Sequence, residues 1–177
     1  MEILQYSALL TLQILQPSRD DALNYGGDSR FRSGAALAAC GRMGFKTIGE
    51  IKAYGAARAL KLEVYRLVKA HPAAYDDHRF RSQLFEAAAS VEMNIVEGFR
   101  RYSAGEFAHF LRIARASLEE TTSRIQDGID REHFTGAACK TGFELADEAG
   151  RLITGLITSL RPFVTPTRRG GAPSRKR

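Results

Sequence analysis

Between Gly49 and Leu160 the apolar residues recur with a helical period in four successive segments, and no stretch alternates as a strand would. At about 100° per residue, the segment near Glu50 to Ala70 gathers Ala53, Ala57, Leu60, Val64, Leu67 and Val68 on one side. It is predicted to stop before His71-Pro72, because a residue preceding proline is pushed out of helical geometry. A second stripe, Phe80, Leu84, Ala87, Ala88, Val91 and Ile95, predicts a helix near Arg79 to Glu97, with Gly98 as a left-handed stop. Ser103-Ala104-Gly105-Glu106 then reads as a capping box, whose hydroxyl and carboxylate each satisfy an amide of the first turn. Behind it Phe107, Leu111, Ala114, Leu118, Thr121, Ile125 and Ile129 hold one stripe for about six turns. The fourth segment, near Ala138 to Leu160, carries Leu145, Ala149, Leu152, Ile153, Leu156, Ile157 and Leu160 over an arc wider than one groove fills. Such an arc predicts burial on two sides, inside the bundle and against another subunit. Four amphipathic helices with short connections predict an all-α, up-and-down antiparallel four-helix bundle that forms a homo-oligomer.

The ends of the chain do not share this period. Pro17 to Gly44 is Gly- and Ser-rich, so residues 1–45 are expected to be disordered, or to be an extension upstream of a native start at Met43. A peptide from upstream of Arg42 in the endogenous protein would exclude the second option. The opening run MEILQYSALLTLQILQP carries Glu2, no basic residue and no small-residue cleavage site, which argues against a signal peptide. Gln5, Gln13 and Gln16 interrupt it, which argues against a membrane span. A cytoplasmic protein without membrane association is expected, with the bundle over residues 46–164 and a disordered basic tail over 165–177.

The formal charge of +6 changes meaning once it is divided along the chain. Arg168, Arg169, Arg175, Lys176 and Arg177 crowd the last twelve residues with no acid, whereas residues 46–165 hold 17 basic against 16 acidic side chains. The folded part is nearly neutral. The tail, PTRRGGAPSRKR, is too rich in Gly, Pro and charge to bury anything, and serves either solubility or salt-sensitive phosphate binding. A chain of 177 residues with 44% hydrophobic content builds one ordinary core without staples. Cys40 and Cys139 form no CxxC pair and read as free thiols.

Motifs for catalysis fail on inspection. Gly136-Ala137-Ala138-Cys139-Lys140-Thr141 lacks the glycine and the preceding strand of a phosphate loop. His71, Asp76, Asp77 and His78 cluster in a polar linker, where a solvated turn explains them better than a metal does. Glu106-x-x-His109 has the spacing of one half of an in-bundle di-metal site, but its partner motif is missing. No catalytic, cofactor-binding or metal-binding residue is assigned. Gln83, Ser90, Asn94 and Glu97 line one edge of the second helix and read as hydrogen-bonding groups that fix register, a role an apolar seam fills poorly.

The first helix carries the candidate binding chemistry. With Arg58 at zero, Lys61, Lys69 and Arg66 fall at about −60°, +20° and +80°, and Tyr54 and Tyr65 at about −40° and −20°. Cations for phosphate and rings for base stacking suit single-stranded RNA or DNA. The alternative is a solvated charged face with the tyrosines packed at a subunit contact.

Ser82-Gln83-Leu84, Ala87-Ala88-Ala89-Ser90, Asn94-Ile95, Glu97-Gly98, Arg101, Ser103, Glu106-Phe107 and Phe110-Leu111 together resemble the four-helix bundle protein family encoded in intervening sequences of bacterial large-subunit ribosomal RNA genes. Ile113-Ala114 and Ser117-Leu118-Glu119 extend the match, with Leu62, Val64-Tyr65 and Leu67 in the first helix, so that it spans about Ile51 to Leu160. The resemblance implies a non-enzymatic bundle that assembles into a five-fold barrel. Through a related branch, it also implies a nucleic-acid-binding accessory partner of a reverse transcriptase. The chain departs from the family pattern at Phe85-Glu86, where basic residues are frequent, at Val91-Glu92, where a proline is common, and at Ala116, which replaces a frequent glycine.

Overall fold

A computed structural model describes residues 45–101 and 103–164. The residues before and after, including the predicted extension, the Met43 start, Cys40 and the basic tail, lie outside the described residues. A 3-10 turn at Ile48–Glu50 leads into α1 (Lys52–Ala70), a short α2 (Pro72–Asp76), α3 (His78–Arg100), α4 (Ala104–Asp130) and α5 (Gly136–Leu160), and Arg161–Phe163 forms a closing 3-10 turn. The described residues hold no strand.

Local chemistry sets most boundaries. His71, ahead of Pro72, is extended at φ −124° and ends α1, and its Nδ1 donates to the Leu67 carbonyl at 2.8 Å. Pro72 opens α2, a short helix in the linker read as a solvated turn. Asp77 caps α3 by accepting from the Phe80 amide at 3.0 Å, and Thr135 caps α5 by accepting from Ala138 at 3.3 Å. Ser103 Oγ accepts from the Glu106 amide at 3.1 Å, while the Glu106 carboxylate accepts from that same hydroxyl at 3.1 Å. The carboxylate therefore steadies the capping hydroxyl.

Gly98 is not the predicted stop. It is a helical residue, and α3 continues to Arg100 before Arg101 turns extended. Its missing side chain serves packing: a Cβ there would stand 2.8 Å from Phe107 Cδ2 and 2.8 Å from Phe110 Cβ. The left-handed stop occurs instead after α4, at Glu132 with φ 60°. There the Glu132 amide bonds to the Ile129 carbonyl at 2.9 Å and the His133 amide to the Gly128 carbonyl at 2.8 Å, the paired bonds of a Schellman turn.

The four long helices pack in a ring in which α1 touches α3 and α5, and α4 touches α3 and α5. Leu60 and Val64 of α1, Leu84, Val91 and Ile95 of α3, Phe107, Leu111 and Ile125 of α4, and Ala149 and Ile153 of α5 meet in a single buried core. Thr121, on the predicted α4 stripe, is fully buried and donates its hydroxyl to the Ser117 carbonyl at 2.8 Å. Leu145, Leu152, Leu156 and Ile157 are only half-buried along α5, consistent with an arc broader than the ring itself covers.

Candidate nucleic-acid interface

The cationic residues of α1 and its tyrosines do not form the single open face that their angles suggest. Tyr54, Lys61 and Tyr65 are half-buried, and Tyr54 and Tyr65 pack on the core. The Tyr65 ring centroid lies 4.5 Å from that of Phe85 on α3. The tyrosines are thus used within their own chain, because α3 runs along that edge of α1. Arg58, Arg66 and Lys69 remain exposed.

Carboxylates accompany most of these cations. Lys61 Nζ pairs with Glu92 Oε2, and Arg58 stands 3.9 Å from Glu92 Oε1. Glu63 accepts from Arg66 Nε at 2.8 Å and from its terminal nitrogen at 2.6 Å, and these bonds hold the guanidinium above its ordinary pKa. Lys69 is exposed near the end of the helix, where a cation also favours the helix dipole. Sequence reasoning missed Glu92. Its signal is the seven-residue spacing from Phe85 to Glu92, which puts an acid on the same side of α3 as a ring that packs on α1.

The polar edge of α3 joins it to α4. Ser90 Oγ lies 2.9 Å from Ser117 Oγ, and Asn94 Nδ2 donates to the Ser90 carbonyl at 2.8 Å and to its hydroxyl at 3.0 Å. Gln83 Oε1 accepts from Arg124 at 2.8 Å. Glu97 does not cross; it pairs with Arg101 just past the end of its own helix, and Arg101 stacks over Phe110 at 5.0 Å.

At the opposite end of α3, the Asp77 carboxylate lies 3.2 Å from His133 Nε2 and 3.8 Å from Arg131. The Phe80 amide, then the His133 hydrogen bond and the neighbouring charges, hold the Asp77 carboxyl below the usual carboxylate range, against a smaller opposing effect of burial. A depressed folded-state pKa stabilises the fold above the unfolded value, and that contribution vanishes as pH falls through the folded value. The stability difference between wild type and Asp77→Asn should therefore be full at neutral pH and shrink below about pH 4 in urea titrations. A difference that stays constant down to pH 2 would show that the charge contributes nothing. Cys139 is buried, and burial pushes its thiol above the ordinary value. Among the described residues no group of three or more His, Cys, Asp or Glu side chains is placed to hold a metal ion. No described helix is long and apolar enough to cross a membrane.

A ring of four long helices, with exposed cations on the outer side of α1 and ion pairs to a neighbouring helix, defines the class: an all-helical domain whose candidate site is a surface. The model of the 23S rRNA-intervening sequence protein family matches residues 49–155, which takes in α1 to α4 and most of α5. The chain belongs to that family. No curated protein matches it.

Proposed function

We infer that the protein is a non-enzymatic, homo-oligomeric, up-and-down antiparallel four-helix bundle that binds single-stranded nucleic acid or a ribonucleoprotein through the outer face of α1. The observation that carries this reading is the exposure of Arg58, Arg66 and Lys69 together on one helix. Lys61 lies beside them, tied to Glu92. The half-buried Leu145, Leu152 and Leu156 of α5 support self-association, and a monomeric mass in sedimentation would remove that part. No reaction is assigned. Glu106 is engaged by the Ser103 cap and Glu97 by Arg101, while His109 is exposed beside the Phe110 ring at 5.7 Å.

Affinity for single-stranded RNA should fall steeply with salt, with a log–log slope of about −0.7 per phosphate contacted. Lys69→Glu combined with Arg58→Gln should weaken binding more than removal of residues 165–177. The reverse ranking would move the site to the tail, and no binding at low salt would end the reading.

A second reading, a protein-interaction scaffold including the reverse-transcriptase accessory role, is favoured by one feature. Met93 is 67% exposed and Leu62 40%, apolar side chains that a partner protein could cover. A complex with a partner protein that survives nuclease treatment would favour it over direct nucleic-acid binding.

A further inference from the structure

Glu92 is the one buried charged residue among those described, at 8% exposure. It lies in the α1–α3 contact, seven residues after Phe85, whose ring meets Tyr65 of α1. An apolar side chain would fill that position without the cost of removing a carboxylate from water, and a buried pair gives little net stability over such a replacement. Packing alone does not account for the acid. Its two oxygens instead address two cations of the candidate binding face, Oε2 reaching Lys61 and Oε1 lying 3.9 Å from Arg58. The Lys61 side chain is 22% exposed and the Arg58 side chain 48%, so the carboxylate sits beneath the outer surface with one cation largely covered and the other partly open.

We propose that Glu92 is a built-in counter-charge that withholds Lys61 from phosphate and tempers Arg58, so that the phosphodiester affinity of the α1 face is set from α3. The proposal rests on the nucleic-acid reading above and adds its regulation. A strand arriving at this face meets Arg66, already paired with Glu63, and the exposed Lys69. Neutralising Glu92 converts Lys61 from an internal partner into a further phosphate-binding cation. Each added phosphate contact steepens the salt dependence of single-strand binding by about 0.7 in log–log slope.

The test uses the full chain and a fluorescein-labelled oligouridylate, with anisotropy titrations between about 50 and 200 mM salt. Glu92→Gln, which keeps the side-chain shape, should bind several-fold more tightly at the low-salt end, with a slope steeper by about one contact. Lys61→Met combined with Glu92→Met removes both charges and replaces the pair with apolar groups. It should bind at least as tightly as wild type, because Lys61 is already withheld from the strand and Arg58 loses its counter-charge. This second variant serves equally if Glu92→Gln does not fold. An unchanged slope in Glu92→Gln would overturn the proposal, as would weakened binding in the apolar pair. In both cases the nucleic-acid reading stands if Lys69→Glu still weakens wild-type binding. Absence of binding by wild type and Glu92→Gln alike would overturn both.

Discussion

Replacing Phe107 with alanine is expected to destabilise the protein by about 3–5 kcal/mol, a large share of the roughly 5–15 kcal/mol that holds an ordinary domain together. Phe107 is 1% exposed and lies beneath Gly98, where α3 and α4 come close enough that no Cβ fits between them. Its ring meets Phe99 edge-on at 6.3 Å. The cost of a deleted ring depends on whether its surroundings collapse, and here they are held apart. Phe110 Cβ already sits at the Gly98 contact, and Ser90 and Ser117 bridge the same two helices further along. Urea unfolding followed by helical circular dichroism should show a lower midpoint with an unchanged slope. A loss under about 1 kcal/mol would mean that the helix junction closes over the gap.

The second large effect runs against helix propensity. Glycine to alanine inside an exposed helix gains about 1 kcal/mol, yet Gly128→Ala is expected to lose about 1–3 kcal/mol. The new Cβ would stand 2.6 Å from both Phe134 Cδ2 and Cε2, and 2.7 Å from Phe80 Cζ. Neither ring has room to swing. Phe134 is 4% exposed and edge-on to His71 at 5.3 Å, and Phe80 is 3% exposed and edge-on to His133 at 5.0 Å. The Gly128 carbonyl also accepts from the His133 and Phe134 amides, so a shift of this residue disturbs the turn into α5. Thermal melts should place Gly128→Ala below wild type, and a second substitution, Phe134→Leu, should reduce the gap by vacating part of the collision. A neutral or stabilised Gly128→Ala protein would show that the rings move aside at little cost.

Helical stripes and caps were legible because both are short-range. A stripe such as Leu84, Ala88, Val91 and Ile95 depends on the 3.6-residue period and on burial against any partner, whatever its identity. The Ser103 cap and the Pro72 boundary are set within a few residues. The same short-range signals carry the family resemblance, whose residues Ser90, Asn94-Ile95, Glu97-Gly98, Ser103 and Glu106-Phe107 fall within the family match over residues 49–155. Gly98 is ambiguous in the sequence because a glycine at a helix end has two uses, a left-handed stop and a close approach. They differ only in what lies opposite.

The periodic side chains along residues 49–160 were sufficient to specify helices, their order and the faces they bury, since each follows from interactions within a turn or two. Pairing across helices was not specified in that way. The Lys61–Glu92 contact joins residues 31 apart, and the fit of Phe107 under Gly98 or of Phe134 against Gly128 depends on how closely two helices approach. Those distances arise from the packing of the whole ring. They turned an expected basic, tyrosine-bearing face into one whose rings pack on the core and whose central lysine pairs with a buried carboxylate of α3.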